Sequence, residues 1–560
     1  MHAPRIAAIV ALLVTATVSA DPIVTVKNGS YSGLYLPQFG QDLFLGIPYA
    51  QDTGLQNRFR LPQSLTETWN GTRAAKDYSN ACPDANPDSD AIYGMSENCL
   101  SINIVRPAGT NTTAKLPIML WIHGGRQVYQ VGTSGLSNYN LTYIVEKSVK
   151  IGKPIIGASI NYRKSSWGNM YSIELQGSGN TNLALRDMRK GLAWIQENVE
   201  AFGGDPGSVT IWGESSGSFA VGQLVLSYGG RTDDLFHRSI QESGSAATAW
   251  YNGTEWYQPI FDNIVDSVNC SSAADKVECL RTIPYSQLYP FMNASTHPGP
   301  GFYPTVDGDI VPNYPTELIQ AGKFAHIPHL YGTNSDEGTD NAPVGIINTD
   351  DDLRSFLLND TGFDFPASTV DRIMELYPDD PAAGIPLNTG KERFADYGWQ
   401  FKRAAAIMGD VFYHAPRLDD ARHYADHAPT FVYRFNTRPF ENATNATYTD
   451  YVGELAPAYK GVEHFSEVAF VFNNPSTVGP WAGYEMLSGL MSSLWIRFAH
   501  DGDPNGEGLP YWPRYNSGGN ATGLNLVLQT DQQGGCYVEQ DAYRLEGREF
   551  LTEWARRRHV

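Results

Sequence analysis

Residues 202–217 read FGGDPGSVTIWGESSG, and the fold turns on how they are read. Val209-Thr210-Ile211-Trp212 is a β-branched and aromatic run of the kind that fills a strand buried on both faces. Residues 215–228, SSGSFAVGQLVLSY, look helical. Between the two lies Gly213-Glu214-Ser215-Ser216-Gly217, a G-x-S-x-G in strand, turn, helix context. The flanking glycines relieve crowding around a serine held in a strained turn, with a helix N-terminus directly behind it. Glycine and serine fill ordinary loops too. The context is what singles out Ser215 as the candidate nucleophile.

Outward from this stretch, strands and helices alternate. In residues 182–201 Leu185, Met188, Leu192, Ile195 and Val199 recur at spacings of three and four, which predicts an amphipathic helix packed on a sheet. Gly203-Gly204 ends it. Further back, LPIMLWI at 116–122 and PIIGASIN at 154–161 read as buried strands. Further on, 329–332 reads as a strand end and TFVYRF at 430–435 as a late strand, while 392–425 reads as helical and peripheral. The alternation predicts an α/β protein with a mostly parallel central sheet flanked by helices.

The chain has 560 residues, 42% hydrophobic and 12% aromatic, enough for a large core uninterrupted by repeats. Its formal net charge of −20 repels nucleic-acid phosphates and anionic membranes, so neither is an expected partner. His2 and Arg5 precede the apolar run Ile6 to Val18, and Ser19-Ala20 follow with small side chains. This is the pattern of a secretory signal at 1–20, with the mature chain starting near Asp21. The competing reading, a membrane anchor, needs about 20 apolar residues. No later stretch supplies them, and REFLTEWARRRHV at the C-terminus is a charged helix-like end, not a lipid-anchor tail. Eleven N-x-S/T sequons, from Asn28 to Asn520, and five cysteines suit the secretory compartment. Cys82 with Cys99 and Cys270 with Cys279 form sequence-local couples expected to bridge, although spacing leaves other pairings open; Cys536 is left over as a buried or unpaired thiol. No metal-ligand cluster and no phosphate-binding glycine loop are present, so no metal or organic cofactor is expected.

The longer pattern F-G-G, four residues, V-T-I-W-G-E-S-S-G resembles the serine-centred signature of the type-B carboxylesterase and cholinesterase-like family. Ser96 to Ile104, SENCLSINI, is similar to its second signature, with Asn98 and Ser101 as departures; Asn161-Tyr162-Arg163, residues 490–505 and YWPRY at 511–515 match further family segments. The resemblance covers nearly the whole mature chain. It implies an α/β-hydrolase fold in one large domain, 21–560, and a Cys82–Cys99 bridge like one in the family. His123-Gly124-Gly125-Arg126 stands where the family has HGGG, which implies oxyanion donors at the N–H groups of Gly125, Arg126 and Ser216. Arg126 departs from the usual small residue. Its side chain goes to solvent or a carboxylate, or else narrows the site or attracts a polar or acidic substrate group.

Thr333-Asn334-Ser335-Asp336-Glu337-Gly338 resembles the family segment whose glutamate meets the catalytic histidine. Glu337 is the best match for the acid and Asp336 its immediate rival. Gly461-Val462-Glu463-His464-Phe465-Ser466-Glu467 resembles the histidine segment, which makes His464 the expected base in the chain order Ser, acid, His. Ser243, in Gln241-Glu242-Ser243-Gly244, matches a serine behind the triad. The resemblance therefore implies a secreted, glycosylated serine ester hydrolase acting on small-molecule esters through Ser215, Glu337 and His464. A triacylglycerol lipase is the nearest alternative, but residues 83–98 between the first two cysteines are polar and broken by prolines, unlike the longer amphipathic lid of lipases. A cholinesterase would want a loop tryptophan for its cation, and Tyr93 is a poor substitute. A non-catalytic adhesion ectodomain is the alternative from another class.

Overall fold

The computed structural model describes residues 21–84, 90, 94–125, 133–248, 251–292, 302–442, 453–518 and 522–557. The proposed signal segment, Tyr93 and Arg126 lie outside them. Eleven strands form the central sheet: β1 Leu34–Leu36, β2 Gln41–Pro48, β3 Ser101–Pro107, β4 Leu116–Ile122, β5 Ile156–Ile160, β6 Gly204–Glu214, β7 Arg238–Glu242, β8 His329–Asn334, β9 Thr430–Phe435, β10 Leu524–Leu528 and β11 Tyr537–Gln540. Their spatial order is β11-β10-β9-β8-β7-β6-β4-β5-β3-β2-β1. From β5 to β10 every neighbouring pair is parallel, and antiparallel strands close both edges. The sheet is thus mostly parallel, as the alternating pattern predicts.

The β-branched run at 209–212 is the buried half of β6, which extends back to Gly204. Its side chains alternate between two cores. Val209 and Ile211 join one with the helix Leu183–Asn198, whose Leu185, Met188, Leu192 and Ile195 are fully buried, as is Val199 just beyond it. Trp212 faces the other, where its ring lies 4.6 Å from Trp121 and 4.7 Å from Phe472. Each such side chain taken out of water contributes about 1.5–3 kcal/mol. The middle of the sheet is therefore a rigid base for whatever its strand ends carry.

Sequence-local disulfides Cys82–Cys99 and Cys270–Cys279 are formed, and Cys536 is a half-buried free thiol. The expectation that 392–425 is peripheral is corrected. Helices Phe401–Gly409 and Ala415–Ala425, joined through a π-helical turn at Asp410–His414, bury Ala404, Ala405, Ile407, Leu418 and Ala421. Charged residues of the segment are satisfied inside: Arg417 pairs with Asp541, and Asp410 with Arg544. Among the described residues no helix is long and apolar enough to cross a membrane.

Candidate active site

The registers of the central strands bring their carboxyl ends into one row. Ile122 is opposite Gly213, Glu214 opposite Glu242, and Glu242 opposite Gly332. Neighbouring strands lie about 4.8 Å apart. The segments after β4, β6, β7 and β8 therefore emerge side by side, although they are far apart in sequence. The order β7-β6-β4-β5 also makes β6 the point at which the winding of the sheet reverses, where α/β folds open a crevice for ligands.

Ser215 sits between β6 and the helix Ser216–Gly230 with φ 55° and ψ −125°, a conformation costly for a residue with a side chain. Local hydrogen bonds hold it there: its N–H donates to Glu242 O at 2.9 Å, and its carbonyl accepts Phe219 N–H at 3.0 Å. Gly217 is required because a Cβ would lie 2.1 Å from Ile122 O. Residues 211–214 and 216–220 are all buried, whereas Ser215 is half-buried and its hydroxyl makes no hydrogen bond among the described residues. The turn thus presents one free hydroxyl at a helix N-terminus. Ser216 N–H begins that helix, and Gly125, at φ 143°, follows β4 alongside; the third donor expected, Arg126, is outside the described residues.

Glu337 and His464 are brought together. His464 Nδ1 lies 2.7 Å from Glu337 Oε2, and the Glu337 carboxylate also accepts Asn334 N–H at 2.7 Å and the Ser243 hydroxyl. Glu337 is fully buried, so these bonds replace its hydration. Asp336, the rival acid, points elsewhere. Its two oxygens accept the backbone N–H groups of Val462 and Leu387, each at 2.7 Å. Adjacent acids thus divide the work, one on the imidazole and one on the backbone of the loop that carries it. Ser243 lies behind the pair, as its sequence match implies. Glu463 is paired with Lys460 at 3.5 Å, away from the imidazole.

Two neighbours of the imidazole had no role in the sequence reading. Glu214, inside the serine motif, places Oε1 3.2 Å from His464 Nε2, off the line of a hydrogen bond, so both buried atoms remain unsatisfied. The ring of Tyr413 lies 4.6 Å from the imidazole, carried there by the π-helical turn. Glu214 stood in the motif, and strand alternation could have pointed it inward. Nothing local announces Tyr413.

Carboxyls dominate the electrostatics here. Beneath His464 lie Glu337, Glu214, Glu242 and Glu467, all fully buried. Burial pushes the carboxyls of Glu214 and Glu242 well above the usual range, and that of Glu467 to about 7, with further help from neighbouring carboxylates. Burial alone would lower the imidazole of His464, but the carboxylates of Glu214 and Glu337 overrule it and raise it above its ordinary value. Glu242 Oε1 accepts the indole N–H groups of Trp212, at 2.8 Å, and Trp495, at 2.5 Å, while its Oε2 has no partner. An imidazole held at one nitrogen by a carboxylate is suited to taking a proton from a hydroxyl presented to its other nitrogen. Among the described residues no cluster of His, Cys, Asp and Glu is arranged to hold a metal ion.

The model of the carboxylesterase family matches residues 20–543. Lipase 4 of Diutina rugosa is 32% identical, over 98% of this chain and 98% of its own. The inactive carboxylesterase-like protein VdtD of Byssochlamys spectabilis is 33% identical over 83% of this chain and 81% of its own. Among solved structures, Aspergillus niger EstA matches with a TM-score of 0.79 and 26% identity, covering 97% of this chain and 99% of that one.

Proposed function

We propose, from the premise that the chain belongs to the carboxylesterase family and is a carboxylic ester hydrolase, that it works through an acyl-enzyme on Ser215 with Glu337 and His464 completing the triad. The observation that carries this reading is the strained, unbonded Ser215 on the same strand-end row as the 2.7 Å contact between Glu337 and His464. In this mechanism Glu337 holds Nδ1–H, so Nε2 keeps its lone pair and takes the Ser215 proton as Oγ attacks the ester carbonyl. The tetrahedral oxyanion falls to the N–H groups of Gly125, Arg126 and Ser216, one such donor being worth about 3 kcal/mol in the transition state. His464 returns the proton to the leaving alcohol. Water then repeats the sequence and frees the acid.

The same reading takes residues 1–20 as a signal segment removed on secretion and 21–560 as one hydrolase domain, glycosylated at some of its sequons. Two disulfides support an oxidising compartment. It favours small, dissolved esters. The Cys82–Cys99 loop is tied at its root, where Asp84 Oδ2 meets Lys164 Nζ at 2.6 Å with both side chains buried, and Tyr289 OH donates to Asp84 O at 2.8 Å. A second reading, triacylglycerol lipase, draws on relatives such as Lipase 4 of Diutina rugosa. Hydrolysis of p-nitrophenyl esters from acetate to palmitate, below and above their solubility and with Ser215→Ala in parallel, separates the two. The esterase reading expects short-chain turnover that saturates below solubility and vanishes in the variant. A rate jump on long chains above solubility favours the lipase, and wild-type inactivity on every ester defeats both.

A further inference from the structure

Asp336 is buried, 1% exposed, and every polar group it has is engaged by the chain around it. Its N–H donates to Val462 O at 3.0 Å and its Oδ2 accepts Val462 N–H at 2.7 Å, so one residue grips both backbone groups of another. Oδ1 accepts Leu387 N–H at 2.7 Å. Its carbonyl accepts the Thr339 hydroxyl at 2.8 Å, and that hydroxyl also reaches Lys460 O at 2.7 Å. Lys460 and Val462 belong to the loop that ends in His464, and Asp336 is bonded to Glu337. The fit is tight: Gly461 takes φ 65°, and a Cβ there would lie 2.3 Å from Asp336 Oδ2. A cavity of about 290 Å³ opens at this clamp, lined by Asp336, Leu387, Gly461, Val462, Asn436 and Arg438 among others.

We propose that Asp336 is a positioning residue for His464, its carboxylate setting where the imidazole stands relative to Glu337 and Ser215. The proposal rests on the triad reading above. Both oxygens of Asp336 accept from backbone N–H groups, so the role needs two acceptors, and only the ionised carboxylate offers them freely. An amide has one acceptor and would turn an NH₂ group against either Val462 or Leu387. Shifting the imidazole by about 1 Å costs about a hundredfold in rate. Protonation acts as the amide does. Burial pushes the Asp336 carboxyl up to about 6, against the hydrogen bonds from Val462 and Leu387 and the cations Arg434 and Arg544, with Lys402 also facing it. Its loss therefore falls on the acid side of the activity profile.

The test uses the full chain with p-nitrophenyl acetate, alongside Ser215→Ala and His464→Ala. Asp336→Asn is expected to lower kcat about a hundredfold, with KM changed less than threefold and the contribution near pH 6 missing from the acid limb. Asp336→Ala opens the clamp to the cavity, and added formate is expected to restore kcat at least tenfold (~10×) in a saturable way while leaving wild type and Ser215→Ala unaffected. Circular dichroism and Tm report the folded fraction with and without formate. Should Asp336→Ala not fold, Gly461→Ala strikes the same contact from the histidine loop and is expected to reproduce the kcat loss. Wild-type kcat in folded Asp336→Asn overturns the proposal, as does a loss that tracks the unfolded fraction and ignores formate. Activity surviving in Ser215→Ala or His464→Ala would instead sink the triad reading, so the two failures are distinct.

Discussion

Two clusters of ionisable side chains are buried equally deeply in this protein and behave in opposite ways. Near the C-terminus, Asp541 accepts from Arg417, from Arg548 at 2.7 Å and from Tyr515 OH at 2.8 Å, while Asp410 accepts from Arg544 at 2.6 Å and Tyr377 OH at 2.8 Å. Burial would raise Asp541, but the two arginines overrule it and hold the carboxyl well below the usual range. Under the strand ends, Glu214, Glu337 and Glu467 act on one imidazole, with Glu242 next to Glu214 and Glu467, and burial pushes three of the four upward. Burial is common to both clusters; the count of cations differs. A balanced cluster ties the last helix to the domain, whereas in an under-compensated one the carboxyls are shifted upward around the imidazole, a pattern typical of functional sites.

The largest effect expected is on chemistry at the second cluster. Glu337→Gln keeps the shape but loses the acceptor that fixes the His464 tautomer, and kcat should fall about 10⁴-fold while Tm changes little; ester hydrolysis and a melting scan check this. Asp541→Ala should do the reverse. It leaves two buried arginines unpaired, costs about 3–5 kcal/mol by urea unfolding, and leaves kcat of the folded protein near wild type. Because the folded Asp541 value is depressed, its contribution is present above the unfolded carboxylate value of about 3.9 and disappears as pH falls through the folded one. The gap between wild type and Asp541→Ala should therefore narrow in acid.

Smaller changes sharpen the contrast. Glu214 helps hold His464 in its charged form, and the base must be neutral. Glu214→Gln should therefore move the acid limb of kcat/KM to lower pH, by about one unit, measured with p-nitrophenyl acetate. Glu242 has a raised folded value, so the folded state binds the extra proton and loses stability as pH climbs above the unfolded value. Glu242→Gln keeps an oxygen for the two indoles and carries no proton to lose. It should be more stable than wild type by about 1–2 kcal/mol at pH 8, with the gain shrinking toward pH 5 in paired urea titrations.

Much of the fold was legible because it is written locally. The β-branched runs at 116–122, 209–212 and 430–435 became strands, and the five apolar positions from Leu185 to Val199 all turned inward, since their spacing matches the turn of a helix. Ser215 was legible for the same reason, its turn being a property of five consecutive residues. Segment 392–425 was misread as peripheral because the partners of its buried charges Arg417 and Asp410, which are Asp541 and Arg544, lie over a hundred residues away.

By itself the sequence determined where the strands and helices form, where the strained serine turn sits, and which acids and histidine have the right neighbours to join it. The tertiary structure puts the carboxylate of Glu337, the better sequence match, on His464 and that of Asp336 on the backbone. It alone decided that Glu214 lies 3.2 Å from the far nitrogen of His464 and that Tyr413 flanks it. The reason is physical. A turn or a helix face depends on neighbours within a few residues, whereas the direction of a carboxylate and its proton affinity depend on charges and dry surfaces that only the packed sheet brings within reach.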